Sequence, residues 1–183
     1  MTNFRFKNLS FLNNMRGISL VESLMTILIY AFISAACFTA LTYGSQSWRV
    51  NSVKVELQQE LRKAMDWITE DLRQAGPSSI TNVPADSTWY NTITFKICNG
   101  ASGGNISWAA QNTQYSKGGT GSAQLLRTTG AQSKVIAQDI QSLQFRRTTT
   151  AGDIVNVALT VQKNTIGGRL LTLTSNFQVK LRN

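Results

Sequence analysis

Histidine is missing from the chain altogether, and cysteine occurs only twice in 183 residues, as Cys37 and Cys98. A zinc site of the usual composition needs a cluster of His and Cys ligands, so none is available. Nucleophilic catalysis by a Ser-His or Cys-His pair is excluded for the same reason. Cys37 lies inside a long apolar run and Cys98 far downstream, so the two do not form a disulfide framework. Acids are scarce as well: nine Asp and Glu stand against 18 Lys and Arg, and beyond residue 76 the acids are Asp86, Asp139 and Asp153 alone. Three dispersed carboxylates suit neither a calcium loop nor an acid–base pair. Lys117-Gly118-Gly119-Thr120-Gly121 lacks the strand–loop–helix setting of a phosphate cradle and reads as a flexible loop. No catalytic residue, metal ligand or cofactor site emerges, and the chain is not expected to be an enzyme.

Charge is the next constraint. The net charge is +9, and three of the cations, Arg5, Lys7 and Arg16, fall in the first 17 residues, where there is no acid. Setting that segment aside leaves 15 cations against nine acids, or +6. A basic balance can mark nucleic acid or an anionic surface as partner. Apart from the doublets Arg62-Lys63 and Arg146-Arg147, however, the cations are scattered, which reads as solvated faces with a mild bias.

Between Ser23 and Trp48 there is no charge at all, and residues 18–43 are almost continuously apolar and free of proline. That run exceeds the roughly 20 residues that a bilayer requires. A buried core helix is the other reading of such a run, but its length favours a membrane span. The positive-inside bias places Arg5, Lys7 and Arg16 in the cytoplasm and the bulk of the chain across the membrane. Residues 1–17 resemble the charged front of an export signal, yet the small residues Ala31, Ser34 and Ala35 lie mid-run, not at a cleavage position beyond it. Glu22 sits in the first turn of the run, where a carboxylate costs on the order of 2.5–3.5 kcal/mol on insertion scales. Such a cost calls for a partner.

Beyond Gly44 the pattern becomes amphipathic. Val50, Val53, Leu57, Leu61, Met65, Ile68, Leu72 and Ala75 step by three or four along one helical stripe, and the charged residues, Asp71 among them, lie largely off it. Gly76-Pro77 supplies a stop, with glycine suited to the cap. One helix is therefore expected from Ile18 to about Ala75. Strands come next: 92–98, with Ile93, Phe95 and Ile97 on one face, then 123–128, 134–137, 139–145, 154–162 and 169–181. Residues 99–122 are rich in Gly, Ser, Asn and Thr, with Trp108 and Tyr115 as anchors in strands or turns, and Gly167-Gly168 suits a hairpin turn. The expected fold class is α+β, a long N-terminal helix packed on an antiparallel sheet.

Gly17 before Ile18, an apolar first turn, and Glu22 four residues after Ile18 resemble the processing motif of type IV prepilins. The resemblance implies a cleaved leader (1–17), a transmembrane and filament-core helix (18–43), its amphipathic continuation (44–76) and a β-rich periplasmic or extracellular head (77–183). It implies cleavage between Gly17 and Ile18 by a prepilin peptidase on the cytoplasmic side, N-methylation of Ile18 by the same enzyme, and a role for Glu22 in filament assembly. Ile18 stands where phenylalanine is usual in that family, and Ser19 where threonine is frequent. Leu72-Arg73-Gln74-Ala75-Gly76, Val135-Ile136-Ala137-Gln138-Asp139-Ile140 followed by Leu143-Gln144-Phe145, and the terminal Leu181-Arg182-Asn183 are similar to PilW-type minor pilins and J-type minor pseudopilins.

The resemblance further implies a pilin-like structural subunit that initiates or tips a type IV pilus or a type II secretion pseudopilus. Its partners are then the prepilin peptidase, other minor and major pilins or pseudopilins, the inner-membrane assembly platform and the inner membrane itself. Its N-terminus is cytoplasmic and its head periplasmic before it enters the filament. Cleavage exposes an amine at Ile18, and amine and carboxylate attract far more strongly in low dielectric than in water. Glu22 is thereby expected to contact the amine of a neighbour or of its own chain; the alternative is a carboxylate held at the interface by the helix dipole. Ser34, Ala35, Ala36 and Ala40 are small enough for close helix approach in lipid, or are ordinary membrane-helix composition. The alternative function is a tip subunit whose basic head binds DNA or a surface; clustered cations with exposed aromatics are its sign. A single-pass membrane enzyme is the third reading, and the missing catalytic constellation speaks against it.

Overall fold

The computed structural model describes residues 19–102, 105–149 and 152–182. The chain divides into two compact units, the first ending at Ser45 and the second beginning at Gln46. A single helix, α1 (Leu20–Arg73), supplies all the regular structure of the first described unit and enters the second. No proline interrupts it, and Gly44 is accommodated within it with no neighbour near its open side.

In the second unit α1 presents the expected stripe. Leu57, Ala64, Ile68, Leu72 and the following Ala75 are fully buried, with Val53, Leu61, Met65 and Trp67 packed at the margins. Against this face stand antiparallel strands β1 (Ile93–Phe95), β2 (Cys98–Ser102), β3 (Asn105–Trp108), β4 (Thr113–Gly118), β5 (Gln124–Thr129), β6 (Gln132–Ala137), β7 (Ile140–Arg147), β8 (Ile154–Asn164) and β9 (Leu170–Lys180). They form a four-stranded sheet in the order β1-β4-β5-β6, a β2-β3 hairpin and a three-stranded sheet β7-β8-β9. The architecture is α+β, a long helix packed on antiparallel sheets, as the pilin-like expectation has it. Alternation explains the packing of β8: Val155, Val157, Leu159 and Val161 are all buried, while their neighbours in sequence face outward.

Several expectations need correction. The stretch 92–98 is not one strand; β1 ends at Phe95, and Ile97 instead makes a bridge to Ala75. Trp108 and Tyr115 do anchor strands, as expected, in β3 and β4, and β4 is an inner strand with Tyr115 fully buried. Lys117 and Gly118 belong to β4, and Thr120–Ser122 form a single 3-10 turn, so the glycine-rich segment is not a loop throughout. The Gly167-Gly168 expectation holds: Gly168 has φ +75° and donates to the Thr165 carbonyl at 2.8 Å in the turn between β8 and β9.

Gly76 ends the helix for a different reason from the one expected. Its φ of −102° and ψ of 159° are extended, not left-handed, so conformational freedom is not what requires glycine there. Space is. A Cβ at position 76 would lie 2.6 Å from Cη2 of Trp108, whose ring covers the helix terminus. Around this point Cys98 N–H donates to the Gln74 carbonyl (3.0 Å) and Arg182 N–H to the Ala75 carbonyl (2.8 Å), using acceptors that the ending helix leaves free. A Gly76→Val chain is expected to lose about 1–3 kcal/mol of stability by overpacking, measured by denaturant unfolding. An unchanged midpoint would show that Trp108 yields its place freely.

Candidate functional site

Each described residue from Ser19 to Arg49 is solvent-exposed, including Leu20, Val21, Ile27, Phe32, Phe38 and Leu41, each more than two-thirds exposed. Among the described residues α1 is the one helix long and apolar enough to cross a membrane. Exposed apolar side chains in this number need a covering medium. The polar groups of the segment are already accommodated. The hydroxyls of Thr26, Thr39, Thr42 and Ser45 donate to the carbonyls of Glu22, Ala36, Thr39 and Thr42 at 2.7–2.9 Å. Back-bonded hydroxyls lower the cost of placing Thr and Ser in hydrocarbon.

Glu22 is the acid of the first turn, and its side chain is exposed. The Ser19 carbonyl accepts a helical bond from Ser23 N–H at 3.0 Å, and Glu22 is the third residue of α1. From there a carboxylate reaches back toward the start of the helix, where free N–H groups and the dipole favour an anion. Gly17 and Ile18 lie outside the described residues. Ser34, Ala35, Ala36 and Ala40 are exposed along α1, as is the free Cys37. Cys98, also free, is half-buried at the start of β2, with Sγ 3.4 Å from the Gly100 carbonyl.

The second unit contains a polar cluster that the stripe pattern does not reveal. Asp71 is 6% exposed, on the face of α1 that packs against the four-stranded sheet. Arg127 of β5 donates to it through Nε at 2.6 Å and through Nη2 at 3.4 Å, and the Tyr115 hydroxyl of β4 donates to its Oδ2 at 2.7 Å. Burial, and then the bond to the Asp71 carboxylate, push the Tyr115 phenol far above its ordinary value. The same carboxylate raises the Arg127 guanidinium. One signal does exist in the sequence: Asp71 follows Ala64 by seven residues and Ile68 by three, which places it at the stripe's edge.

Elsewhere the charges of the second unit are also used for structure. Lys163 joins Glu56 of α1 (2.5 Å) to Asp139 (3.1 Å), which raises its pKa chiefly through the Glu56 bond. Glu60 accepts the Gln138 N–H at 2.7 Å, fastening the turn between β6 and β7 to the helix. Arg147 is buried and spends its donors on the carbonyls of Val83 and Gly152, and burial lowers its pKa. The Tyr90 hydroxyl at 2.6 Å and the Thr88 N–H at 2.9 Å hold the Asp86 carboxyl below the usual carboxylate range.

Aromatic faces and cations do meet, but within the chain. Arg146 lies 4.6 Å over the Trp89 ring and Lys134 4.5 Å over the Trp67 ring, with Arg127 at 5.8 Å from the latter. These faces are occupied by the chain's own cations and do not form a free stacking platform for bases. Among the described residues no group of three or more His, Cys, Asp or Glu is placed to hold a metal ion.

Tyr115 generates a test of the cluster. Because its folded pKa is raised, its contribution to stability is complete below the unfolded phenol value of about 10 and is lost as pH rises beyond it. Tyr115→Phe is expected to cost about 1–2 kcal/mol at neutral pH and to weaken the alkaline loss. Asp71→Ala is expected to cost more, about 2–4 kcal/mol, since it takes the carboxylate from both the buried Tyr115 hydroxyl and the half-buried Arg127 guanidinium. Unfolding curves from neutral to alkaline pH read both effects; equal losses at every pH would contradict the assignment to Tyr115. Compared with models of known protein families the chain matches none, and among curated proteins it has no match.

Proposed function

We propose that the chain is a minor pilin or pseudopilin, a structural subunit that initiates or tips a type IV pilus or type II secretion pseudopilus once residues 1–17 are removed. The observation that carries this reading is the continuity of α1. One unbroken helix has an exposed apolar segment with a single acid at its start, and its later turns form the core face of an α+β head. A membrane anchor alone needs the apolar segment but not the acid. A subunit that leaves the lipid for a helical bundle needs both, because the acid can be neutralised by an amine that cleavage creates.

In this mechanism the peptidase cuts after Gly17 and methylates the new amine of Ile18. The amine is a cation at the edge of lipid, and Glu22 is an anion at the same helix end. Their attraction in low dielectric outweighs the cost of keeping Glu22 in the apolar segment when the amine belongs to the subunit it joins. Register along the filament is set by that pairing, because a slip by one turn leaves both charges unpaired. Small residues Ser34, Ala35, Ala36 and Ala40 give room for helices to approach. The head stays outside the hydrocarbon.

Two substitutions test this. Glu22→Ala is expected to be processed normally yet to be incorporated into filaments at a small fraction of the wild-type level, read by immunoblot of sheared filaments against membranes. Normal incorporation would remove the assembly role. Gly17→Val is expected to accumulate as the longer precursor; a shorter mature product from that variant would eliminate the cleavage site.

A further inference from the structure

The edges of the two larger sheets are covered or interrupted, with one exception among the described residues. The outer side of β1 is used by Thr81 N–H, which donates to the Thr94 carbonyl at 3.0 Å, and by Asn82 Oδ1, which accepts from Thr94 N–H at 2.6 Å. β7 is bridged through Phe145 to Tyr90 and carries a register shift between Ile140 and Ser142. β6 faces a register shift between Leu125 and Leu126 of β5 and bears Lys134. These are the usual devices against edge pairing. β9 carries no bulge, no bridge and no capping bond among the described residues, and its one charge, Lys180, stands at its very end.

β9 pairs with β8 in unbroken register from Ile154–Lys180 to Asn164–Leu170, with no bulge and no proline. Two bonds beyond its ends fix which groups face outward. Thr165 N–H donates to the Arg169 carbonyl (2.8 Å) and Leu181 N–H to the Asp153 carbonyl (2.7 Å), and both pairs continue the β8–β9 register. Bonded and non-bonded pairs alternate along an antiparallel ladder. The odd-numbered residues of β9 therefore bond β8. Leu170, Thr172, Thr174, Asn176, Gln178 and Lys180 aim N–H and C=O at the open side, where among the described residues no backbone or side-chain group meets them.

The side chains carry the same message. On β8 the inward residues Val155, Val157, Leu159 and Val161 are completely buried. Their neighbours Leu171, Leu173 and Phe177 on β9 point to the same core yet remain only half-buried. A further strand beside β9 would bring side chains next to these three residues. Charge then selects the occupant. Residues 170–179 are uncharged, with Arg169 just before them and Lys180 and Arg182 at their end. A second copy of β9 sets cation near cation at the ends in either orientation, and residues 77–183 carry ten Lys and Arg against three Asp, a repulsive +7.

We propose that the open side of β9 receives an extended segment of another polypeptide, about ten residues long, apolar at alternate positions and with a carboxylate at each end. Main-chain bonds to the even-numbered residues give affinity, the alternate apolar side chains complete the cover over Leu171, Leu173 and Phe177, and the terminal acids meet Arg169 and Lys180, the latter held only by a long, exposed contact to Asp153 at 3.8 Å. This reading does not depend on the role of Glu22.

The test uses the full chain in detergent with a synthetic peptide of alternating Val and Thr flanked by Asp and Glu. Hydrogen exchange of the free chain should be faster at Thr172, Thr174, Asn176 and Gln178 than at the odd-numbered residues, and the peptide should slow those four by about tenfold or more. A peptide with Lys at both ends should bind about tenfold more weakly. Asn176→Pro should abolish binding while leaving the melting curve in place, because the Asn176 N–H is not part of the β8 ladder. Should that variant fail to fold, a peptide N-methylated at alternate positions takes its place and should not bind. Equal protection of even and odd amides in the free chain, equal binding of the two charge versions, binding that survives both the proline and the N-methylation, or self-association through β9 would each overturn the proposal.

Discussion

A short face of α1, from Leu57 to the following Ala75, is the apolar floor on which the strands of the second unit close. Leu57, Ile68 and Leu72 are completely buried there, and each side chain of that size contributes about 1.5–3 kcal/mol when taken out of water. An exposed ion pair such as Lys180–Asp153, at 3.8 Å, contributes no more than about 1 kcal/mol. Burial on the helix therefore dominates, and the polar contacts decide orientation. Asp71 performs that second task, because its carboxylate receives β4 through Tyr115 and β5 through Arg127 and so sets how the four-stranded sheet meets the helix. Glu56 and Glu60 do the same for Lys163 of β8 and for the turn before β7.

An α-helix satisfies its backbone from within, whatever medium surrounds it, and only its side chains must match that medium. α1 exploits this property along its length. Its early turns are apolar on all sides and their hydroxyls are back-bonded, whereas its later turns are apolar along one stripe and charged elsewhere. The same main-chain hydrogen bonding serves the exposed apolar segment and the folded head, and under the proposed function it would serve lipid and a bundle of like helices alike. What remains to be matched is the lone carboxylate of Glu22, and the amine proposed at Ile18 is the group that matches it.

The helix is legible in the sequence because two periodicities, continuous and then one-sided, survive over many turns and need no tertiary information. The strands with strict alternation, such as β8 and β9, are legible for the same reason. β4 is not. Its Thr, Gln, Tyr, Ser, Lys and Gly look like loop, and only burial of Thr113 and Tyr115 between neighbouring strands makes it an inner strand. Asp71 reads as a solvent-side residue because its charge outweighs its position at the stripe's edge. Its partner Arg127 stands 56 residues away, a separation that no local pattern reports. Gly76 reads as a stop on account of its flexibility, when the ring of Trp108 is what forbids a side chain there. Of the proposed site, Glu22 falls in the first turn where the pattern places it, and the cleavage motif beside it rests on sequence alone.

The central claim is that Glu22 acts on an amine that the chain acquires only after cleavage. Intact-mass and N-terminal fragment analysis of the mature chain, purified from membranes of cells that contain a prepilin peptidase, tests this most directly. The account predicts a chain that lacks residues 1–17, begins at Ile18 and carries one methyl group on its terminal nitrogen. A mature chain that keeps its leader, or begins anywhere other than Ile18, would contradict it.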